Sequence, residues 1–164
     1  MAGQTPATPV NRTTTVRSPR RRARELVLQG LYQSQVSGND EAAIEAHLRD
    51  AEDFDKVDRE FFVGLLHGVL TQRKTLEHQL QDYLDRPFSE LSPIEACVLL
   101  GGAFELSHYP QTPYRVIINE AIELAKTYGG TDGHKYVNGV LDKLAARLRP
   151  VEVEAKRAAR GKGR

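Results

Sequence analysis

Four arginines crowd one short stretch, where Arg20, Arg21, Arg22 and Arg24 stand in the run PRRRARE. Guanidinium groups are planar and permanently charged, and they grip phosphate oxygens in pairs or stack on a base, so such a cluster suits a polyanion. On a helix, Arg20, Arg21 and Arg24 are spaced so that their guanidinium groups fan over a common patch while Ala23, Leu26 and Val27 face inward. Cations at a helix N-terminus oppose the macrodipole and cost about 0.3–1 kcal/mol each. A local rule broken without benefit to folding points to function. RNA fits this pattern, because its single-stranded bases also stack on rings such as Tyr32 or Tyr136, although each tyrosine taken singly reads first as a core residue with a solvent-facing hydroxyl.

Other candidate chemistry is thin. His47, His67, His78, His108 and His134 are scattered over different segments, without an HExxH pattern or cysteine companions, so no zinc site is expected. GGTDGHK, from Gly129 to Lys135, lacks the Lys-Ser/Thr pair of a phosphate-binding loop. Cys97 lies in the apolar run IEACVLL, which suits a buried structural thiol rather than a nucleophile. Glu120 and Glu123 read as a solvated helix face, and Asp132 beside His134 has neither a serine nor a second base nearby. The pattern is that of a binding protein, not an enzyme, with no cofactor and no metal.

The elements that must carry the arginines follow from length, charge and periodicity. At 164 residues, 40% hydrophobic and 27% charged, the chain fits one globular domain. The net charge of +1 hides an asymmetry: residues 1–24 hold six arginines and no acid, and residues 149–164 hold six cations against Glu152 and Glu154. Subtracting those +6 and +4 ends from the net charge leaves an acidic body of −9, which confines polyanion contact to the termini. No apolar stretch approaches the ~20 residues of a membrane span, and the polar start lacks the apolar core of a secretory signal. A single cysteine cannot form an internal disulfide, which fits a reducing, cytoplasmic location.

Residues 1–18 read as a flexible basic arm, residues 19–149 as the folded unit, and residues 150–164 as a basic tail that either extends the last helix or hangs free. Ser18-Pro19 opens a first helix that ends at SGND, and EAAIEAHLRDAEDF forms a second, acidic one. Asp58 caps a long third helix with an apolar face at Phe62, Leu65, Leu66, Val69, Leu76, Leu80 and Leu84. The capping box S-P-I-E opens a fourth helix, apolar almost all round and therefore central. Pro113 opens a fifth, with Val116, Ile117, Ala121, Ile122, Leu124 and Ala125 inward, and a last periodic stretch runs from Val137 to Leu148. The fold class is all-α, a compact bundle of about six or seven helices.

Four segments, RRRARELVLQGLYQSQVSGND, KVDREFFVGLLHGVL, YLDRPFSELSPIEACVLLGGAFEL and PYRVIINEAIELAKTYGGTDGHKYVNGVLDKLA, resemble the NusB family of transcription antitermination factors, in that order and spacing over roughly residues 20–148. The resemblance implies a helical RNA-binding fold in two small lobes, without catalytic activity. It implies binding to the boxA element of ribosomal RNA leaders as single-stranded RNA. The partner would be NusE, a ribosomal protein, with other Nus factors and RNA polymerase in the antitermination complex. Carried over, Arg20, Arg21, Arg22 and Arg24 match the family's RNA-contacting start of helix one. Lys135 and Tyr136 match a basic and aromatic pair beside the RNA, with Asp132 in the preceding loop, while Tyr32 and Glu95 match positions facing NusE. An acidic body suits a basic ribosomal protein.

Two departures stand out: Leu100 replaces a common family arginine, and Gly101 and Gly102 interrupt a helix interior, where they permit close helix approach. The resemblance leaves a homodimer open. A related helical domain fronts ribosomal RNA cytosine methyltransferases, but this chain ends soon after VNGVLDKLAARL and lacks G-x-G-x-x-G, so a stand-alone factor is preferred. The remaining alternative, a helical partner-binding module without RNA affinity, would tolerate neutral residues from Arg20 to Arg24.

Overall fold

The computed structural model describes residues 18–162, so the arm expected over residues 1–18 falls, except for Ser18, outside the described residues. The described residues form seven α-helices and no strand: α1 Pro19–Ser37, α2 Glu41–Arg49, α3 Arg59–Gln81, α4 Pro93–His108, α5 Tyr114–Tyr128, α6 Gly133–Leu148 and α7 Pro150–Lys162. Short 3-10 turns at Phe54–Lys56 and Phe88–Glu90 flank α3. None of the helices is long and apolar enough to cross a membrane.

The predicted caps account for the helix starts. Ser18 Oγ accepts from the Arg21 amide at 3.0 Å, Asp58 Oδ1 from the Phe61 amide at 3.0 Å, and Ser92 Oγ from the Glu95 amide at 3.3 Å. Helix α1 stops where Gly38 takes φ 70°, the left-handed conformation that glycine adopts without a steric penalty. Helix α2 ends earlier than its sequence suggests. Phe54 is buried from the following 3-10 turn, edge-on to Phe62 with ring centres 5.5 Å apart. The seven-residue gap between Val69 and Leu76 in the apolar face of α3 coincides with a kink at Gln72 (φ −103°, ψ 16°).

The helices α1 to α3 form one lobe and α4 to α7 the other, and a single core joins them through α4. The residues from Ala96 to Leu100 and from Gly102 to Leu106 of α4 are buried, as expected of a central helix. On α5 the buried positions are Tyr114, Ile117, Ile118, Ala121 and Ala125. Val116 lies about 100° away from Ile117 and is exposed, not inward as its apolar type suggested.

The basic tail contains a helix. Its root is held by Arg149, which is buried and donates to the carbonyls of Leu106 (3.1 Å) and Tyr109 (2.6 Å) and to that of Thr112. These oxygens lie at the C-terminal end of α4 and in the loop beyond it, where backbone acceptors lack helical partners. Glu152 Oε1 accepts from the Tyr114 amide at 2.7 Å, capping α5, and Val153 is the last buried residue.

The two glycines of α4 differ in role. A Cβ at Gly102 would lie 2.8 Å from Leu141 Cδ1 of α6, whereas one at Gly101 would meet nothing within 4 Å. Close approach therefore explains Gly102 alone. Thermal denaturation should show Gly101→Ala stabilised by about 0.5–1 kcal/mol through helix propensity, and Gly102→Ala destabilised by about 1–3 kcal/mol through overpacking. Equal effects would remove this distinction.

Candidate nucleic-acid interface

The N-terminus of α1 is tied to the start of α3 by the Asp58 amide, which donates to the Pro19 carbonyl at 3.3 Å. From there the four arginines diverge. Arg20 lies over the Phe61 ring, 4.7 Å from its centre, and reaches Asp58 at 3.5 Å with 48% of its side chain exposed. Arg21 forms a two-pronged pair with Glu120 of α5 at 3.0 and 2.9 Å and remains 42% exposed. Arg22 grips Asp53 at 2.6 and 3.2 Å and also Glu25 at 3.1 Å.

Arg24 is not part of the exposed patch expected for it. It is 6% exposed and bound to Glu105 of α4, with contacts of 2.7 and 2.9 Å, while its guanidinium also lies 5.0 Å from the Phe61 ring centre. The reason is helical spacing. Arg24 precedes Val27, Leu28 and Leu31 by three, four and seven positions and so belongs to the buried stripe. Glu105 was not singled out from the sequence. Its signal is that it is the only charged residue between Glu95 and His108, on a helix that must be buried.

The electrostatics follow these contacts. Hydrogen bonding by Glu120, then its charge, raises the Arg21 pKa. Arg22 holds the Asp53 carboxyl below its ordinary value. Burial pushes Glu105 up, and the bonds and charge of Arg24 oppose that shift.

A second group of candidates gathers at the start of α6. Lys135 and Asp132 are exposed and lie 3.5 Å apart. The Tyr136 hydroxyl donates to Asp85 Oδ1 at 2.9 Å, and the guanidinium of Arg86 lies 5.7 Å from the Tyr136 ring centre while binding Asp85 at 2.9 and 3.2 Å. Asp85 and Arg86, in the turn after α3, are further residues of this surface. The adjacent opposite charges before Pro87 in the sequence DRP are the local signal for such a pair.

The N-terminus of α4 joins the two groups. Glu95 is half-buried with its carboxylate against Gly133, where the positive end of α6 favours negative charge. Its neighbour Ile94 lines a groove with Arg22, Glu25, Leu28, Tyr32 and Tyr128. Tyr32 is 41% exposed in this groove, and the Tyr128 hydroxyl donates to Glu25 at 3.2 Å. A band thus runs from Arg22, past Tyr32 and Ile94, to Glu95 against the start of α6, the helix that carries Tyr136. Among the described residues no group of three His, Cys, Asp or Glu side chains could hold a metal. Cys97 is buried, and burial raises its thiol pKa to about 11, so at neutral pH it is not a thiolate.

The sequence matches the NusB family model over residues 21–146. It is 63% identical over 144 residues to the transcription antitermination protein NusB of Dechloromonas aromatica (strain RCB), covering 88% of each chain. The fold superposes on T. maritima NusB with a TM-score of 0.73 at 28% identity, covering 84% of this chain and 99% of the other. It also superposes, with a TM-score of 0.73 at 19% identity, on a chain from a crystal structure of antitermination factors NusB and NusE with double-stranded RNA. That match covers 79% of this chain and 97% of the other, and it concerns the fold alone.

Removing one partner of a buried ion pair strands the other, so Arg24→Ala should lower stability in denaturant titration by about 3–5 kcal/mol, whereas Arg24→Met with Glu105→Leu should recover most of the loss. An Arg24→Ala protein of unchanged stability would contradict the tether. At the other end of the band, Arg86 and then Tyr136 lower the Asp85 carboxyl to about 2. A depressed acid keeps its paired, charged form above its unfolded pKa and loses it only as pH falls through the folded value. Carboxyl NMR titration should therefore place Asp85 near 2 and move it up toward the ordinary carboxylate range in Arg86→Ala; an unmoved midpoint would deny the pairing.

Proposed function

The chain belongs to the NusB family, and we propose that it acts as a transcription antitermination factor that binds boxA RNA of ribosomal RNA leaders together with NusE. Other Nus factors and RNA polymerase complete the assembly, so that transcription reads through terminators. The observation that carries this reading is Arg21, which keeps 42% of its side chain exposed in a family-matched segment while paired with the partly buried Glu120. Glu120 holds the guanidinium in position through Nε and Nη2, and the exposed remainder of that guanidinium still has donors that an RNA phosphate can take.

Arg20, Arg21 and Arg22 supply phosphate contacts in this reading, Tyr136 supplies a ring for base stacking, and Lys135 supplies charge beside it. Asp132 pairs with Lys135 and sets its direction. Arg24 serves the site indirectly, by fixing α1 through Glu105. Tyr32 and Glu95 face NusE, with the groove at Tyr32 providing an amphipathic ring at the protein contact. The protein works by binding and not by catalysis, and its buried free thiol suits the reducing cytoplasm.

Fluorescence anisotropy tests the proposal with boxA RNA and a scrambled control, with and without NusE. Binding should prefer boxA, tighten with NusE and weaken with salt. Arg20→Ala with Arg21→Ala should keep the helical circular dichroism, weaken boxA binding about tenfold and reduce the salt slope by about 1.4, at roughly 0.7 per phosphate on a single strand. Equal binding to both RNAs, indifferent to NusE and to the two arginines, would overturn the reading.

A further inference from the structure

The distal half of α7 does nothing for the fold. Every residue from Glu154 to Gly161 is exposed, although residues 150–162 are helical. Two unsupported helical turns are marginal in water, so packing does not explain them. Lys156, Arg157 and Arg160 stand three, four and seven positions after Val153, so they prolong the stripe that Val153 turns toward the body. The described arginines of α1 each have a carboxylate partner, whereas these three cations form no ion pair among the described residues.

The position of α7 is equally informative. Its root and the start of α1 meet at one residue: Arg149 donates to the Thr112 carbonyl, and Arg20 reaches the Thr112 hydroxyl at 3.4 Å. The start of α1 and the root of α7 thus lie beside the same loop. The match to the family model ends at residue 146, before α7 begins, so the role of this helix is not carried by that match.

We propose that Lys156, Arg157 and Arg160 form a second RNA contact, which takes backbone phosphates flanking the recognised element and reads no bases. This rests on the RNA-binding reading above and extends it. Composition identifies the partner: from Glu154 to Gly161 no apolar residue is larger than alanine and none is aromatic. A protein partner would find no anchor there and a lipid surface no apolar face, whereas phosphates need only charge.

The test uses the full chain with NusE and the variant Lys156→Gln, Arg157→Gln, Arg160→Gln. Affinity is measured across a salt series for a minimal boxA RNA and for the same element extended at both ends. On the extended RNA the variant should lose about 2 from the salt slope, at roughly 0.7 for each of three phosphates, and about tenfold in affinity at low salt. On the minimal RNA it should bind like the parent, with unchanged thermal stability. An unchanged slope on the extended RNA, while Arg20→Ala with Arg21→Ala still weakens binding to both, would overturn the α7 contact and leave the RNA-binding reading standing. Equal loss on both RNAs would also overturn it. Failure of the parent to bind either RNA would bring down both proposals together.

Discussion

Arg24 and Glu105 face each other with 6% and 3% of their surfaces exposed, so each charge is compensated by the other inside an apolar core. Their contact joins α1 to the central helix α4 and thereby sets the rotation of α1 about its axis. At about 100° per residue, Arg20 and Arg21 then fall roughly 40° and 60° to opposite sides of Arg24. One side meets Asp58 of α3 and the other Glu120 of α5. The buried pair does not bind anything itself, but it decides which arginines can.

The remaining cations of α1 are also held by carboxylates, and this resolves the conflict between a basic helix start and the macrodipole. Glu120 and Asp53 neutralise Arg21 and Arg22 in the free protein and restrict their directions. Glu120 and Glu25 are themselves largely buried, so these pairs fix the arginines while Arg21 keeps 42% of its side chain open. The turn after α3 repeats the device with Asp85 and Arg86, now beside an aromatic ring. The N-terminus of α4 sits between these two charged regions, so the most buried helix also sets the spacing of the surface band.

Arg149 shows how misleading a count of charges is. It belongs to the basic C-terminal segment by sequence, yet its guanidinium is spent on backbone oxygens at the end of α4 and beyond. With Glu152 capping α5, it converts the first turn of α7 into part of the folded unit. Of the described cations of this segment, Lys156, Arg157 and Arg160 are left for solvent or a ligand.

Local structure follows from neighbouring residues, because caps, prolines and apolar periodicity act over a few positions. Ser18, Asp58 and Ser92 all cap the helices assigned to them, and the apolar run around Cys97 is the central helix. Of the candidate residues read from the sequence, Arg20, Arg21, Tyr32, Lys135 and Tyr136 are accessible in full or in part, whereas Arg24 is not. Tertiary structure alone decided the partners. That Arg24 meets Glu105, that Asp85 and Arg86 adjoin Tyr136, and that Arg149 caps α4 all depend on contacts between residues distant in the chain. Periodicity places a side chain on a face of its own helix, but the charge that meets it is supplied by the packing of another.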